Sequence, residues 1–122
     1  MSLRVAIVGA GRMGRERARA SKSLGAQIVA ICDPDLERAR VLAADVSAKV
    51  LADPVELDLS SLDALFVCTP PALRGRMESA AIRASVPFMA EKPIGLSAEQ
   101  CTPLMEALRE SPVLNAVGYM NR

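Results

Sequence analysis

The sequence has 122 residues with 15 basic and 14 acidic side chains, and its formal net charge of +1 excludes the basic excess typical of nucleic-acid and membrane-surface binding. Apolar residues make up 51% of the chain and aromatic residues 2%, a composition that is usual where helices cover a parallel sheet. A chain of this length fits one domain, which buries about two-thirds of its unfolded surface.

Cysteine and histidine content bounds the chemistry that this chain can perform. Cys32, Cys68 and Cys101 are odd in number and widely spaced, which indicates neither a disulfide framework nor a metal cluster. The sequence has no histidine, so a histidine general base and an imidazole metal ligand are excluded within these residues. We find no signal peptide and no apolar run long enough to span a bilayer. These features predict a reduced, cytoplasmic protein without a metal site.

A glycine-rich turn follows the first apolar run at residues 5–8. The sequence GAGRMG occupies residues 9–14 and leads into a helical pattern. In a phosphate-binding turn of this kind, Gly9 permits the tight turn, Gly11 lets the backbone approach a pyrophosphate, and Gly14 lets the helix pack closely on the strand. The free N–H groups and positive dipole end of the helix favour an anion above the turn. This pattern predicts a dinucleotide site.

An acidic residue follows the second apolar run at residues 28–31. Asp33 lies nineteen residues after Gly14, at the end of the predicted second strand. There its carboxylate can accept hydrogen bonds from both hydroxyls of an adenosine ribose, which favours NAD as the cofactor. The alternative interpretation is that Asp33 caps the helix that begins after Pro34.

NADP is the alternative cofactor. Its 2′-phosphate would meet the negative charges of Asp33 and Asp35. Arg38 and Arg40 could turn toward a phosphate, however, and Arg12 lies close to the glycine-rich turn. The charge pattern therefore favours NAD without excluding NADP.

Strand-like and helix-like segments alternate along the whole chain, which is typical of a parallel sheet with helices on both faces. The predicted strands lie near residues 3–8, 27–32, 48–51, 63–68, 86–91 and 113–118. The predicted helices lie near residues 12–24, 35–44, 71–84 and 98–110, and residues 52–61 form a connection. This order predicts an α/β fold with a doubly wound parallel sheet, the Rossmann-like NAD(P)-binding architecture.

The third predicted helix has an apolar face. The small and apolar residues that recur there at helical spacing are Leu73, Met77, Ala80, Ala81 and Ala84. We expect these side chains to face the sheet.

Two polar turns follow the fourth and fifth strands, at the edge where open α/β sheets bind ligands. Thr69 and Pro70 begin the first turn, and Glu91-Lys92-Pro93 forms the second. This arrangement places the ammonium of Lys92 and the carboxylate of Glu91 beside the region that a nicotinamide reaches. In the alternative interpretation, Thr69 caps the next helix and Lys92 is a solvated turn residue paired with Glu91.

The motifs GAGRMG, ICDPD, LDALFVCTP, AEKPIG and VGYMNR span the chain. Together they resemble the Gfo/Idh/MocA family of NAD(P)-dependent oxidoreductases, named after glucose-fructose oxidoreductase, inositol dehydrogenase and rhizopine catabolism. The resemblance implies a Rossmann-type amino-terminal domain in which Lys92, the lysine of the EKP motif, lies by the nicotinamide and substrate and assists proton transfer or orientation. It also implies a second α+β domain that carries a catalytic Asp and His and usually the interface of a homo-oligomer.

Two positions depart from the family pattern. Arg74 stands where a histidine often follows the Thr-Pro pair, and we expect it to alter contacts with the substrate. Ser85-Val86-Pro87 replaces a common Gly-Lys-His, which we interpret as variation of a turn. The chain also stops at Arg122, and a cofactor domain alone lacks half of the substrate site.

These patterns predict a dinucleotide-binding domain at residues 1–118, followed at 119–122 by the start of a crossover to a substrate domain. By resemblance, the full-length enzyme transfers a hydride between NAD and a small-molecule substrate, a sugar, cyclitol or related polyol, while this chain alone is inactive. Lys92 is the predicted catalytic residue. The predicted cofactor contacts are Gly9, Gly11, Arg12, Met13, Gly14, Asp33, Thr69, Pro70, Glu91 and Lys92. The alternatives are a non-catalytic dinucleotide sensor and an enzyme that uses another nucleotide, such as S-adenosylmethionine.

Overall fold

Six parallel strands form one sheet in the computed structural model, which describes residues 2–119. The strands are β1 (Arg4–Val8), β2 (Gln27–Cys32), β3 (Lys49–Leu51), β4 (Ala64–Val67), β5 (Phe88–Glu91) and β6 (Asn115–Gly118). The helices are α1 (Arg12–Ser23), α2 (Leu36–Val46), α3 (Arg76–Arg83) and α4 (Ala98–Glu110), with short 3-10 turns at Pro54–Glu56, Leu59–Ser61 and Pro71–Leu73. The strand order β3-β2-β1-β4-β5-β6 confirms the predicted α/β fold with a doubly wound parallel sheet.

Helices cover both faces of the sheet, because successive residues of a strand point to opposite sides. On one face, Ala18 of α1 and Leu42 of α2 pack in a core cluster with Ile7 of β1. On the other face, Met77 of α3 and Leu104 of α4 pack against buried residues of β4 and β5. The central strands are therefore buried on both sides, which accounts for their nearly continuous apolar sequences.

The strand order reverses between β3 and β4. Because β1 lies between β2 and β4, the connections that follow β1 and β4 leave toward opposite sides of the sheet. In such sheets a crevice opens at the carboxyl ends of those two strands, and ligands bind there. The glycine-rich turn follows β1 and the Thr69-Pro70 turn follows β4, so both turns lie at this crevice.

The third helix begins later than the sequence predicts. The other three helices and all six strands begin and end within two residues of their predicted bounds. The segment predicted as one helix over 71–84 starts as the 3-10 turn Pro71–Leu73, and α3 begins only at Arg76. Gly75 separates the two pieces because its φ of 110° lies outside the right-handed helical region.

The late start of α3 changes which residues face the sheet. Met77 and Ala81 are buried as predicted, and Ala80 is half-buried. Leu73 is exposed because it lies on the separate 3-10 turn, and Ala84 is exposed just after the last residue of α3. The prediction that these two side chains face the sheet is therefore wrong.

Gly9 and Gly14 hold the glycine-rich turn against the sheet. Gly9 has a φ of 100°, and a Cβ built there would lie 2.7 Å from the carbonyl carbon of Cys68. A Cβ at Gly14 would lie 1.9 Å from the carbonyl oxygen of Gly9. Neither position has room for a side chain, so the fold itself requires glycine at both.

We expect Gly14→Ala to destabilise the fold, because its methyl group would overlap the Gly9 carbonyl and force α1 away from the sheet. Overpacking a buried site costs about 1–3 kcal/mol, and this overlap with backbone should cost about 3 kcal/mol. Thermal and denaturant unfolding followed by circular dichroism measure the loss. Glu16→Ala, an exposed change on the same helix, is the control and should shift the free energy of unfolding by less than about 0.5 kcal/mol. Equal stability of both variants would contradict the packing role of Gly14.

The three cysteines are free thiols. Burial raises the pKa of Cys32 and of Cys68 to about 12, so both are protonated at neutral pH and neither acts as a nucleophile. Across residues 2–119, no cluster of three or more metal-ligating side chains forms. Within this described range, no helix is both long and apolar enough to cross a bilayer.

Candidate functional site

A cavity of about 660 Å³ opens at the carboxyl edge of the sheet, among the turns that follow β1, β2, β4 and β5. Its volume lies in the range of small-molecule and cofactor sites. Nine of the ten predicted cofactor contacts line it, namely Gly9, Gly11, Arg12, Met13, Asp33, Thr69, Pro70, Glu91 and Lys92. Gly14, the tenth, packs against Gly9 instead. The fold therefore brings the motifs of both halves of the chain to one cavity.

Gly11 is the one glycine of the turn that the fold does not explain. Its φ of −76° and ψ of −161° are extended backbone that any residue adopts. A Cβ built there would have no atom within 4 Å beyond its chain neighbours. Neither the backbone nor the packing of this chain therefore requires glycine at this position. What glycine provides here is open space on the cavity wall, directly at the start of α1.

The amino terminus of α1 faces this open space. Among the described residues, no side chain caps this helix end, and its first turn carries no acidic residue. Arg12 is exposed in the first turn and lines the cavity, so it adds a positive charge beside the positive end of the helix dipole. This end of the cavity is therefore electrostatically suited to an anion such as a phosphate group.

Asp33 is buried directly after β2, and two backbone N–H groups and one guanidinium contact its carboxylate. Oδ2 accepts a hydrogen bond of 2.8 Å from the backbone N–H of Ala10, within the glycine-rich turn. Oδ1 accepts a hydrogen bond of 2.8 Å from the N–H of Asp35. The guanidinium of Arg38 lies 3.0 Å from Oδ2. Asp33 therefore connects the end of β2 to the glycine-rich turn.

The surroundings of Asp33 keep its carboxylate charged. Burial alone would raise the pKa of Asp33, but the hydrogen bonds from Ala10, Arg38 and Asp35 outweigh burial and lower the pKa below its ordinary value. Since the folded-state pKa is lowered, these contacts stabilise the fold at neutral pH, and the stabilisation is lost as pH falls through that pKa. At neutral pH the cavity wall therefore carries the ionised carboxylate of Asp33, paired with the guanidinium of Arg38.

The alternative interpretation of Asp33 as a helix cap is wrong. Asp35 caps α2, because its Oδ1 accepts a hydrogen bond of 3.1 Å from the N–H of Arg38. Of the three arginines considered for a 2′-phosphate, Arg12 and Arg38 line the cavity and Arg40 does not. Arg38 is already engaged by Asp33, so the charge pattern continues to favour NAD.

Glu91 is the last residue of β5 and Lys92 follows it, but the two side chains differ in their contacts. The buried carboxylate of Glu91 forms an ion pair with Arg17 of α1, 74 residues away in sequence. A Cβ at Gly118 would lie 2.5 Å from Glu91 Oε2, so a side chain at this position of β6 would displace the ion pair. Lys92 is exposed at the cavity, and residues 2–119 supply no ion-pair partner to it. The interpretation of Lys92 as paired with Glu91 is therefore wrong.

Thr69 is a lining residue of the cavity and has a polar atom without a partner among residues 2–119. Its hydroxyl oxygen is buried and has no hydrogen-bond partner within the described part of the chain. The cap positions of the turn Pro71–Leu73 and of α3 are Pro70 and Gly75, so the interpretation of Thr69 as a helix cap is wrong. Because buried hydroxyls normally have a partner, an unpartnered one in a residue that lines the cavity is an exception that the protein itself does not explain.

Sequence reasoning missed the contacts of two arginines at this edge. Arg17 holds the carboxylate of Glu91, as described above. Arg74 is buried, and its guanidinium donates hydrogen bonds to the backbone carbonyls of Thr69 and Glu91. No local motif signals either contact, because the partners become neighbours only when the sheet forms.

Comparisons with known proteins agree with this geometry. A family model described as an oxidoreductase family with an NAD-binding Rossmann fold matches residues 3–119. Inositol 2-dehydrogenases 1 and 4 of Saccharopolyspora erythraea are similar in sequence, with 33% identity over 128 residues and 37% over 125 residues. These matches cover 100% and 98% of this chain, and 38% and 37% of the two dehydrogenases.

Solved structures share the fold. A myo-inositol dehydrogenase from Corynebacterium glutamicum matches with a TM-score of 0.87 and 28% identity, over 97% of this chain and 36% of that one. GenD2 from gentamicin A biosynthesis, in complex with NAD, matches with a TM-score of 0.85 and 28% identity, over 96% of this chain and 34% of that one.

The chain therefore spans about 38% of the length of the curated relatives that it matches. The comparisons support the oxidoreductase interpretation and give no support to the sensor or to the S-adenosylmethionine enzyme. The cavity, the glycine-rich turn and the family match lead to the same conclusion. The chain belongs to the Gfo/Idh/MocA oxidoreductase family and corresponds to the NAD-binding Rossmann domain of that family.

Proposed function

We propose that this chain is the NAD-binding part of a longer dehydrogenase that acts on a sugar, cyclitol or related polyol. The similarity to inositol dehydrogenases supports the cyclitol class, and their greater length supports a further substrate domain. Residues 1–118 would form the cofactor domain. We also propose that residues 119–122 begin the crossover to the substrate domain; residues 120–122 are outside the described range. We further propose a cytoplasmic location, in keeping with the free thiols.

Gly11 carries the proposal. Because backbone and packing would both permit a side chain at this position, the open space beside it is explained by a ligand and not by the fold. The pyrophosphate of NAD would lie there, against the N–H groups of the first turn of α1. Arg12 and Met13 line the same part of the cavity, and Arg12 adds a cation near the phosphate charge.

Asp33 and Thr69 would orient the two halves of the cofactor. The charged Asp33 would accept hydrogen bonds from the hydroxyls of the adenosine ribose, while the N–H groups of Ala10 and Asp35 hold its carboxylate in place. Thr69 and Pro70 line the wall after β4, on the side of the cavity that also holds Lys92. The unpartnered hydroxyl of Thr69 supports a polar contact with the nicotinamide half.

Lys92 would supply the acid–base chemistry. NAD held in this cavity would supply the redox chemistry, the exchange of a hydride with the carbon that bears the reacting oxygen of the substrate. The hydroxyl proton of the substrate would pass to the Lys92 amine during oxidation and return from its ammonium during reduction. Glu91 is held in its ion pair with Arg17, so Lys92 is the better-placed group of the two for this transfer.

We expect the chain to bind NAD more tightly than NADP, and Asp33→Asn to weaken NAD binding by about ten- to a hundredfold. The amide keeps the size of the carboxylate and an oxygen for the N–H of Ala10. It loses the charge that strengthens the ribose contacts and repels a 2′-phosphate. Isothermal titration calorimetry with both nucleotides measures the two affinities.

Asp35→Asn is the matched control for Asp33→Asn. This substitution removes one carboxylate charge two residues away from Asp33. Asp35 lies outside the cavity lining, and the asparagine side chain can still cap α2. Its NAD affinity should stay within about twofold of that of the unmutated chain. Equal or tighter binding of NADP by the unmutated chain would contradict the preference, and an equal loss in both variants would contradict the ribose contact.

A further inference from the structure

Arg74 lies between the two turns that follow β4 and β5. Its side chain is buried, with 7% of the residue exposed. Nε donates a hydrogen bond of 2.8 Å to the carbonyl oxygen of Thr69, in the first turn. Nη1 donates to the carbonyl oxygen of Glu91 and lies 3.5 Å from that of Pro93, on either side of Lys92 in the second turn. One guanidinium therefore links both turns through their main chains.

Gln100 makes a second link between the same two parts of the chain. Its side-chain amide donates a hydrogen bond of 2.7 Å to the carbonyl oxygen of Pro71, and its Oε1 accepts one of 2.6 Å from the N–H of Leu96. The segment 91–97 is thus attached to the turn after β4 at both of its ends. Lys92 lies inside this segment, exposed, without an ion-pair partner among residues 2–119.

We propose that Arg74 is a positioning residue that fixes the place of Lys92 at the cavity. The planar guanidinium presents several donors in a rigid fork, so it can hold carbonyls of both turns in one geometry. The carbonyl of Glu91, directly before Lys92, accepts a hydrogen bond from Arg74 Nη1, and the carbonyl of Pro93, directly after it, lies 3.5 Å from the same nitrogen. The Lys92 side chain has no ion-pair partner within the described part of the chain. The inference rests on the proposed function, in which the Lys92 amine must stand beside the nicotinamide.

The three lysines of the chain make a direct test practical. Lys22, Lys49 and Lys92 are its only lysine side chains, so reductive methylation with isotope-labelled formaldehyde gives few dimethylamine resonances in NMR spectra. Lys92→Arg assigns the Lys92 resonance. Lys22 donates to the carbonyl oxygen of Asp45, outside the cavity lining, and serves as an internal reference. We expect saturation with NAD to shift the Lys92 resonance and to leave that of Lys22 unchanged.

Arg74→Gln is the decisive variant. We expect it to bind NAD within about threefold of the unmutated chain while the shift of Lys92 on saturation falls by about half or more. Arg83→Gln, an exposed change at the end of α3 and outside the cavity lining, should leave both quantities unchanged. If circular dichroism shows that Arg74→Gln is unfolded, Arg74→Lys replaces it. Its single ammonium cannot reproduce the fork, so its Lys92 shift should also fall.

The outcomes separate the two claims. If NAD does not shift the Lys92 resonance of the unmutated chain, the proposed role of Lys92 fails and the inference about Arg74 fails with it. If the shift is present and is equally large in a folded Arg74 variant, the inference about Arg74 is overturned while the proposed function stands. A reduced shift at nearly constant NAD affinity supports the positioning role.

Discussion

Gly11→Val is expected to abolish NAD binding while leaving the chain folded. The φ and ψ at residue 11 are accessible to any residue, and a Cβ there has no atom within 4 Å beyond its chain neighbours, so we expect the fold to accept the valine. The branched side chain would instead fill the space that a pyrophosphate needs at the start of α1. We expect affinity to fall more than about a hundredfold, a loss of at least about 2.7 kcal/mol in binding free energy.

Circular dichroism and calorimetric titration separate the folding effect of Gly11→Val from its binding effect. Gly25→Asn is the control, because it changes a glycine in the turn before β2, at the opposite edge of the sheet. Asparagine tolerates the positive φ of 82° at that position, so this variant should fold and bind NAD normally. Normal NAD binding by a folded Gly11→Val variant would show that the glycine-rich turn is structural alone.

Lys92→Ala in the full-length protein is expected to lower kcat by about 10²–10⁴-fold, the usual range for a lost acid–base group, with little change in NAD affinity. The expected pattern follows from the position of Lys92, exposed at the cavity and outside the glycine-rich turn that would hold the phosphates. Steady-state kinetics with a cyclitol substrate and a separate cofactor titration measure the two quantities.

Lys49→Ala controls for the loss of a lysine charge. Lys49 lies on β3, exposed and outside the cavity lining, so its removal should leave kcat and NAD affinity unchanged. Turnover of Lys92→Ala at the rate of the unmutated enzyme would assign the EKP motif a structural role, and the non-catalytic sensor would then become the better interpretation. The 122-residue chain alone should show no turnover under the same conditions.

The centre of the sheet was predictable because β1 and β2 are buried on both faces. Such strands are continuous apolar runs, and the helices between them alternate in a regular order, so β1 and β2 are visible in the sequence without tertiary information. The start of α3 was not predictable in the same way. Its position depends on the positive φ of Gly75, which is a property of the folded turn and not of the helical spacing that follows.

The candidate site was predictable where it depends on strand ends. Parallel strands bring all their carboxyl ends to one edge, so the placement of Asp33, Thr69 and Lys92 at one cavity follows from the strand assignment. The contacts that hold these groups were not predictable. Arg17 and Arg74 bind groups far away in sequence, and which turn each arginine reaches depends on how the helices pack.

Titration of the unmutated chain with NAD, followed by heteronuclear NMR, shows whether this cavity binds the cofactor. We expect saturable shifts concentrated in the backbone amides of residues 9–14, of Asp33 and of residues 91–92, all at the carboxyl edge of the sheet. The turns at the opposite edge, around Gly25 and Val86, should be unaffected. Absence of saturable shifts, or shifts centred on that opposite edge, would contradict the assignment of this cavity to NAD.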